Sequence, residues 1–182
     1  MNYKSDTLYV DLSVNYDTLL NIHTNLIGNI EKEYFNLQID TLSITALNRY
    51  HWQNANPLSI SIDPSSINIK EFEMTRNNKE TIAINGRVDT TGFDNLSLLI
   101  NNINIEDYAN LLSKDFQENL NDLYYKNLHL NFNADGKLNN PNYALKFGID
   151  SIIYEKSYLG NIIGNFVYLE KKLDGKIEIG DK

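Results

Sequence analysis

Residues 128–149, LHLNFNADGKLNNPNYALKFGI, decide the fold class. Leu128, Leu130, Phe132 and Ala134 alternate with polar residues, so an extended segment here has one apolar face and one wet face. Gly136 then permits a bulge or kink that a Cβ would resist. Beyond Leu138, the run Asn139-Asn140-Pro141-Asn142 is turn chemistry: Asn tolerates left-handed φ, and Pro fixes φ and offers no amide donor. Tyr143, Leu145, Phe147 and Ile149 resume the alternation. The expectation is a β-hairpin with one greasy face and nothing catalytic in it.

The same period of two runs outward in both directions. Leu8, Val10, Leu12 and Val14 predict a first strand, and Leu20, Ile22, Thr24 and Leu26 a second. Phe35, Leu37 and Ile39 open a third, whose apolar set changes parity at Thr41 to continue through Leu42 and Ile44. A bulge near Asp40-Thr41 is the simplest way to keep that set on one side. Leu58, Ile60 and Ile62 follow, then Ile67 and Ile69, with a second parity change before Phe72 and Met74. Ile82, Ile84, Gly86 and Val88 precede Leu96, Leu98 and Ile100. Ile162, Gly164 and Phe166, then Leu173, Gly175, Ile177 and Ile179, complete the series.

One stretch departs from it. Ile105, Tyr108, Leu111, Leu112, Phe116 and Leu120 fall three or four residues apart, which predicts an amphipathic helix over about 105–120, N-capped by Asn104. Glu106 and Asp107 suit the positive end of its dipole. Its apolar stripe either covers a sheet face or edge, or lies in the mouth of a groove and gates it.

Loose repetition accompanies the alternation. Asp6-Thr7-Leu8, Asp40-Thr41-Leu42 and Asp150-Ser151-Ile152 share one pattern. Ile84-Asn85-Gly86-Arg87-Val88 parallels Ala134-Asp135-Gly136-Lys137-Leu138, with the segment around Gly28 a weaker third. Uneven spacing rules out a strict solenoid period. Short turns make neighbours antiparallel, so the units form a meander. It closes into a barrel or stays an open, strongly curved sheet. The abrupt start and finish suggest a piece of a longer chain, which favours the open form.

Composition narrows the function classes. With 182 residues, 42% hydrophobic and 22% charged, the chain suits one sizeable ordered domain. A net charge of −8 argues against nucleic acid, because phosphate neutralisation needs clustered Lys and Arg. Lys171-Lys172, between Glu170 and Asp174, reads as a solvated turn. Asn is the commonest residue, which points to base composition rather than chemistry. The absence of Cys removes disulfides, thiolate metal sites and thiol nucleophiles. His23, His51 and His129 are far apart without a second ligand at metal spacing, and are expected at exposed or edge positions. Trp52 is expected to anchor a strand end rather than serve as a sugar platform. The Asp-Thr/Ser pairs lack the spaced carboxylates of a calcium loop, and their side chains are expected to bond nearby backbone. Glu71 and Glu73 have no opposing carboxyl, and no nucleophile elbow or phosphate-binding glycine loop occurs. Neither an enzyme nor a cofactor is expected.

The order of these features resembles a known family. Gly136-Lys137-Leu138-Asn139-Asn140-Pro141 before an alternating strand, the Asp-Ser/Thr-aliphatic repeats, and Ser157-Tyr158-Leu159-Gly160-Asn161 leading into Ile162 carry the likeness. So do Ile82-Ala83-Ile84-Asn85-Gly86 and the helix from Ile105. Together they resemble the TamB proteins (translocation and assembly module) of the wider AsmA-like group in Gram-negative envelopes, best from about Ile82 onward. The resemblance implies a mainly β chain: a long antiparallel meander curved into an open, taco-like groove with one short amphipathic helix. It implies an inner-membrane-anchored protein crossing the periplasm. It also implies phospholipid acyl chains as ligand and a BamA-superfamily partner in the outer membrane, with roles in outer-membrane biogenesis and protein assembly. The family's N-terminal anchor and C-terminal partner-contacting region find no match here, so residues 1–182 would be a single internal segment. Its lining would include Leu37, Ile39, Ile60, Ile69, Ile84, Leu98, Leu130, Phe132, Leu145 and Phe147. Each buried CH₂ of an acyl chain would contribute about 0.8 kcal/mol. A dozen stacked strands would span on the order of 55–60 Å. Two rival readings are a β-sandwich or barrel serving as scaffold or adhesin, whose apolar face is only a core, and a lipocalin-like carrier of one small ligand.

Overall fold

The structure, a computed structural model, describes residues 6–17, 19–31, 33–108, 123–124 and 126–180. Alternating runs joined by short polar turns bring each strand back beside its predecessor. The strands are β1 (Asp6–Tyr16), β2 (Leu20–Glu31), β3 (Tyr34–Ala46), β4 (Tyr50–Asn54), β5 (Leu58–Asp63), β6 (Ser66–Arg76), β7 (Glu80–Asp89), β8 (Gly92–Asn104), β9 (Leu123–Tyr124), β10 (Asn127–Lys137), β11 (Asn140–Tyr154), β12 (Ser157–Leu169) and β13 (Lys172–Gly180). All join one antiparallel sheet, ordered β1-β2-β3-β4-β6-β7-β8-β10-β11-β12-β13, with β5 between β3 and β6 and β9 beside β11. β1 and β13 pair on one side only, so the sheet is open. The chain is mainly β, as the alternation predicts.

β4 and β5 share one lane of the sheet, and β9 and β10 share another. Eleven lanes at about 4.8 Å span roughly 48 Å. That is shorter than a dozen separate strands would be.

Every directly paired position shares a face, and one face collects the apolar series. One row across the sheet runs Phe72, Ile84, Leu98, Phe132, Leu145, Phe166, Gly175. A second runs Met74, Ile82, Ile100, Leu130, Phe147, Gly164, Ile177. Two glycines in these rows are covered by the preceding aromatic. Phe147 leans over Gly164 and Phe166 over Gly175, so a Cβ at either glycine would lie 2.1 or 2.2 Å from a ring carbon. The two rings stack at 6.3 Å. The opposite face carries Asn, Ser, Thr and all three His.

Bulges bend this sheet toward its apolar side. Asn25 pairs Thr41 while Leu26 pairs Ile39, leaving Asp40 as the extra residue the parity change predicted. The second parity change is a bulge between Ile69 and Phe72, where Glu71 has φ 58°. Further shifts lie beside Gly86 (φ 118°), Gly136 (φ 90°) and Ser151 (φ 55°). Gly86 and Gly136, paired by the sequence repeat, thus flank one bulge of β8 at Asn95 (φ 49°) from its two sides, whereas Gly28 does not adopt left-handed φ. The rings of Phe93 and Tyr143 lie 6.0 Å apart although β10 separates their strands. Two flat lanes would hold them about 9.6 Å apart. The apolar face is therefore the concave one, and the sheet forms an open groove.

Three details depart from the expectations. The β10–β11 turn is Leu138-Asn139, tighter and earlier than predicted, with Pro141 inside β11 opposite Gly136. Pairing of β11 with β12 begins only at Tyr143, so the missing Pro141 amide interrupts no ladder there. The left-handed residue is Gly136, not an asparagine. β4 was legible only as a turn and an anchor. The predicted helix begins where expected, as α1 (Ile105–Tyr108), and its remainder, 109–120, lies outside the described residues.

Candidate functional site

All ten residues expected to line a groove fall on the apolar face. Leu37, Ile60 and Ile69 lie in one row that ends at Gly86, with Ile39 beside Leu58 in the next. Ile84, Leu98, Phe132 and Leu145 form a second group, with Leu130 and Phe147 one row away. None of the ten is buried and none is fully exposed. Among the described residues the buried apolar side chains are Tyr50, Leu58, Met74, Ala134 and Ile152. No second sheet covers this face among the described residues. Its exposure grows toward the two free edges, reaching 54% at Leu8 and 70% at Leu173.

An apolar hollow of about 580 Å³ lies over β10–β13, lined by Phe132, Tyr143, Leu145, Phe166, Tyr168 and Leu173. Only Phe132 and Leu145 of the expected lining reach it. Tyr143 stacks with Phe132 and with Tyr168, each at 5.9 Å. Tyr143, Phe166 and Leu173 stand in the same alternation as the expected lining, but a period of two gives the face a residue is on and not which residues of that face enclose a hollow.

A polar cluster closes the groove at one end of its strands. The turns at 47–49, 77–79 and 155–156 lie on this side with α1, and those at 64–65, 90–91, 138–139 and 170–171 on the other. Arg76, at the end of β6, is buried on the apolar face. Its guanidinium donates to Glu80 at 2.7 Å, to Asp107 at 2.7 Å and to the Tyr108 hydroxyl at 3.1 Å. It also lies 5.1 Å from the Tyr50 ring and 5.4 Å from the Tyr108 ring. Burial disfavours its charge, but the bonds to Asp107 and Tyr108 more than offset that and hold its pKa above the ordinary value. Tyr50 stacks on Tyr108 at 4.9 Å and donates to the Asp107 carbonyl. Glu80 accepts the Asn104 amide at 2.9 Å. Burial raises the Tyr108 hydroxyl pKa, against hydrogen bonds from Arg76 and Trp52. Trp52 is thus part of a strand-end anchor, as expected. The cluster itself was missed, although the signal existed: Arg76 and Glu80 continue the apolar parity of Met74 and Ile82.

Beside this cluster lies a polar hollow of about 610 Å³, lined by Asn77, Asn78, Lys79, Glu80, Asn102, Asn104, Asp107 and Asn127. Its carboxylates are already engaged by Arg76. Among the described residues no group of three His, Cys, Asp or Glu side chains is placed to hold a metal ion.

The histidines occupy the polar face. His51 is exposed, and its Nδ1 lies 2.8 Å from Thr45 Oγ1. His23 meets Ser13 at 3.0 Å. His129 departs from the expectation of an exposed or edge residue: it is half-buried, with Nδ1 2.7 Å from Asn101 Oδ1 and Nε2 3.1 Å from Asp150 Oδ2. It ties β8 to β11 across β10.

No helix among the described residues is long and apolar enough to cross a membrane. No family model matches the chain, nor does any curated protein or solved structure.

Proposed function

We propose that this chain is an internal segment of an envelope-spanning, TamB-like protein that shelters phospholipid acyl chains in its apolar groove on their way to the outer membrane. The observation that carries the reading is the continuous apolar concave face, half-exposed across β3 to β12 without a second layer among the described residues. Such a face is unfavourable in water unless something apolar occupies it. Its interior rows lack placed donors, which suits a sliding ligand better than one held in a single pose. Periplasmic location, inner-membrane anchoring and a BamA-superfamily partner belong to the same proposal through the resemblance, and would be supplied by other parts of a longer protein.

A photo-crosslinking amino acid at Leu98 or Leu130, with Asn131 and Asn133 as polar-face controls, tests it in cells. Lipid adducts from the first pair alone are expected. Crosslinks from Leu98 and Leu130 to protein only would leave a scaffold whose apolar face is a core.

A further inference from the structure

Of the two free edges, β13 carries a charge pattern complementary to its own reverse. Lys172, Asp174, Lys176 and Glu178 alternate in sign along its polar face, and Leu173, Gly175, Ile177 and Ile179 lie on the apolar one. Glu170 and Lys171 form a two-residue turn at positive φ, so Leu169 and Lys172 exchange backbone hydrogen bonds, and every second residue after Lys172 does the same with β12. The amides and carbonyls of Leu173, Gly175, Ile177 and Ile179 are therefore aimed outward. β1, by contrast, holds Asp6 and Asp11 and no basic residue.

Strand direction selects the partner. The eleven lanes alternate, so β1 and β13 run the same way, and a like-facing second copy set head to tail would have to pair in parallel. A two-fold axis normal to the sheet instead sets β13 against β13 antiparallel and keeps both apolar faces on one side. Charge then selects the register. Centred on Gly175, the seam places Lys172 opposite the partner's Glu178 and Asp174 opposite the partner's Lys176, each twice, while Leu173 meets the partner's Ile177. Centred one residue away, it sets Lys176 against Lys176 or Asp174 against Asp174, with a second like-charged pair beside each. Gly175 brings no side chain to the centre, where Phe166 of each copy covers it. Lys176 already bonds Glu178 within its own strand, and across the seam each carboxylate gains a cation from the partner.

We propose that this edge joins two copies of the chain, β13 to β13 about Gly175, into one sheet with a continuous apolar face. The pairing goes beyond the groove reading and does not depend on what fills the groove. A strand following Gly180 in a longer protein would take the same edge, so the pairing belongs to residues 1–182.

Sedimentation equilibrium of the full chain is expected to show a monomer–dimer equilibrium that weakens as salt is raised. In a mixture of isotopically light and heavy chains, carbodiimide should link Lys172 to Glu178 and Lys176 to Asp174 between differently labelled copies. Lys172→Glu with Lys176→Glu makes the edge wholly acidic, and Asp174→Lys with Glu178→Lys makes it wholly basic. Each variant alone should dimerise about a hundredfold more weakly, and mixing the two should restore pairing. All four changes in one chain make the edge self-complementary again, and that variant should dimerise like the parent. A monomer at all concentrations, association that neither charge reversal alters, or links in another register would overturn the inference. So would a fourfold variant that keeps the parent's β circular dichroism but stays monomeric.

Discussion

Thr24 sits in the apolar row of β2, 7% exposed, and its hydroxyl has no hydrogen-bond partner among the described residues. The sequence placed it correctly among the strand's inward residues, yet nothing local tells an orphaned hydroxyl from a bonded one. An unsatisfied buried polar group is destabilising, whereas an apolar group of the same shape is not. Thr24→Val is therefore expected to stabilise the chain by about 1 kcal/mol, seen as a higher urea midpoint with an unchanged slope. Thr41→Val, on the polar side, is the control and should change little. Asp63 and Asp89 carry a second residue-scale effect. The Ser66 and Ser65 side chains, with the Ser65 amide, hold Asp63 well below its ordinary 3.8, and the Thr91 side chain and amide lower Asp89. A carboxylate depressed in the folded state contributes stability above its unfolded pKa, and that contribution disappears as pH falls through the folded value. Denaturant midpoints should hold steady above about pH 5 and decline below about pH 4. Asp63→Asn with Asp89→Asn should flatten that decline; an unchanged slope would deny these carboxylates any part in it.

At the scale of elements, the bulges share a fastening. Asn54 Oδ1 accepts the Leu42 amide at 2.7 Å, Asn85 Oδ1 the Glu71 amide at 2.7 Å, and Asn161 Oδ1 the Ser151 amide at 2.8 Å. Each bulge frees an amide that the ladder no longer serves, and a neighbouring strand returns an acceptor to it. Asn85→Ala and Asn161→Ala should each cost about 1 kcal/mol and speed hydrogen exchange at Glu71 and Ser151 respectively. Unaltered exchange at those two amides would contradict the fastening. Abundant Asn thus has a structural use beyond the gene's base composition. The bulges themselves were legible, because a parity change in an apolar series demands one. Their fasteners were not: each Asn lies ten to fourteen residues from the amide it serves. β4 escaped for a related reason. Tyr50 and Trp52 alternate, but without an aliphatic series their signal is too short to separate from the turn before them. The Arg76 cluster depends on residues brought together from β4, β6, β7 and α1, which no single window of sequence contains.

For the whole molecule, the meander and its one-sidedness were readable because both follow from a period of two repeated with little interruption. Edges and curvature depend on how far the lanes continue. β1 and β13 leave backbone donors and acceptors unpaired beside Leu173, Ile177 and Ile179, and all nine residues of β13 are exposed. Such an edge is a template for another strand. The chain on its own is expected to self-associate with rising concentration in sedimentation experiments, and Ile177→Lys with Ile179→Lys to reduce this. A monomer at all concentrations would show that the edges are blunted by other means. The strands also touch chiefly those they are hydrogen-bonded to. Strength in such an array accumulates lane by lane, as in a zipper, instead of residing in one shared interior. Heat or a pull at the C-terminus should therefore fray β13 first, then β12, while hairpins far along the row stay protected, so melting broadens as the row is lengthened.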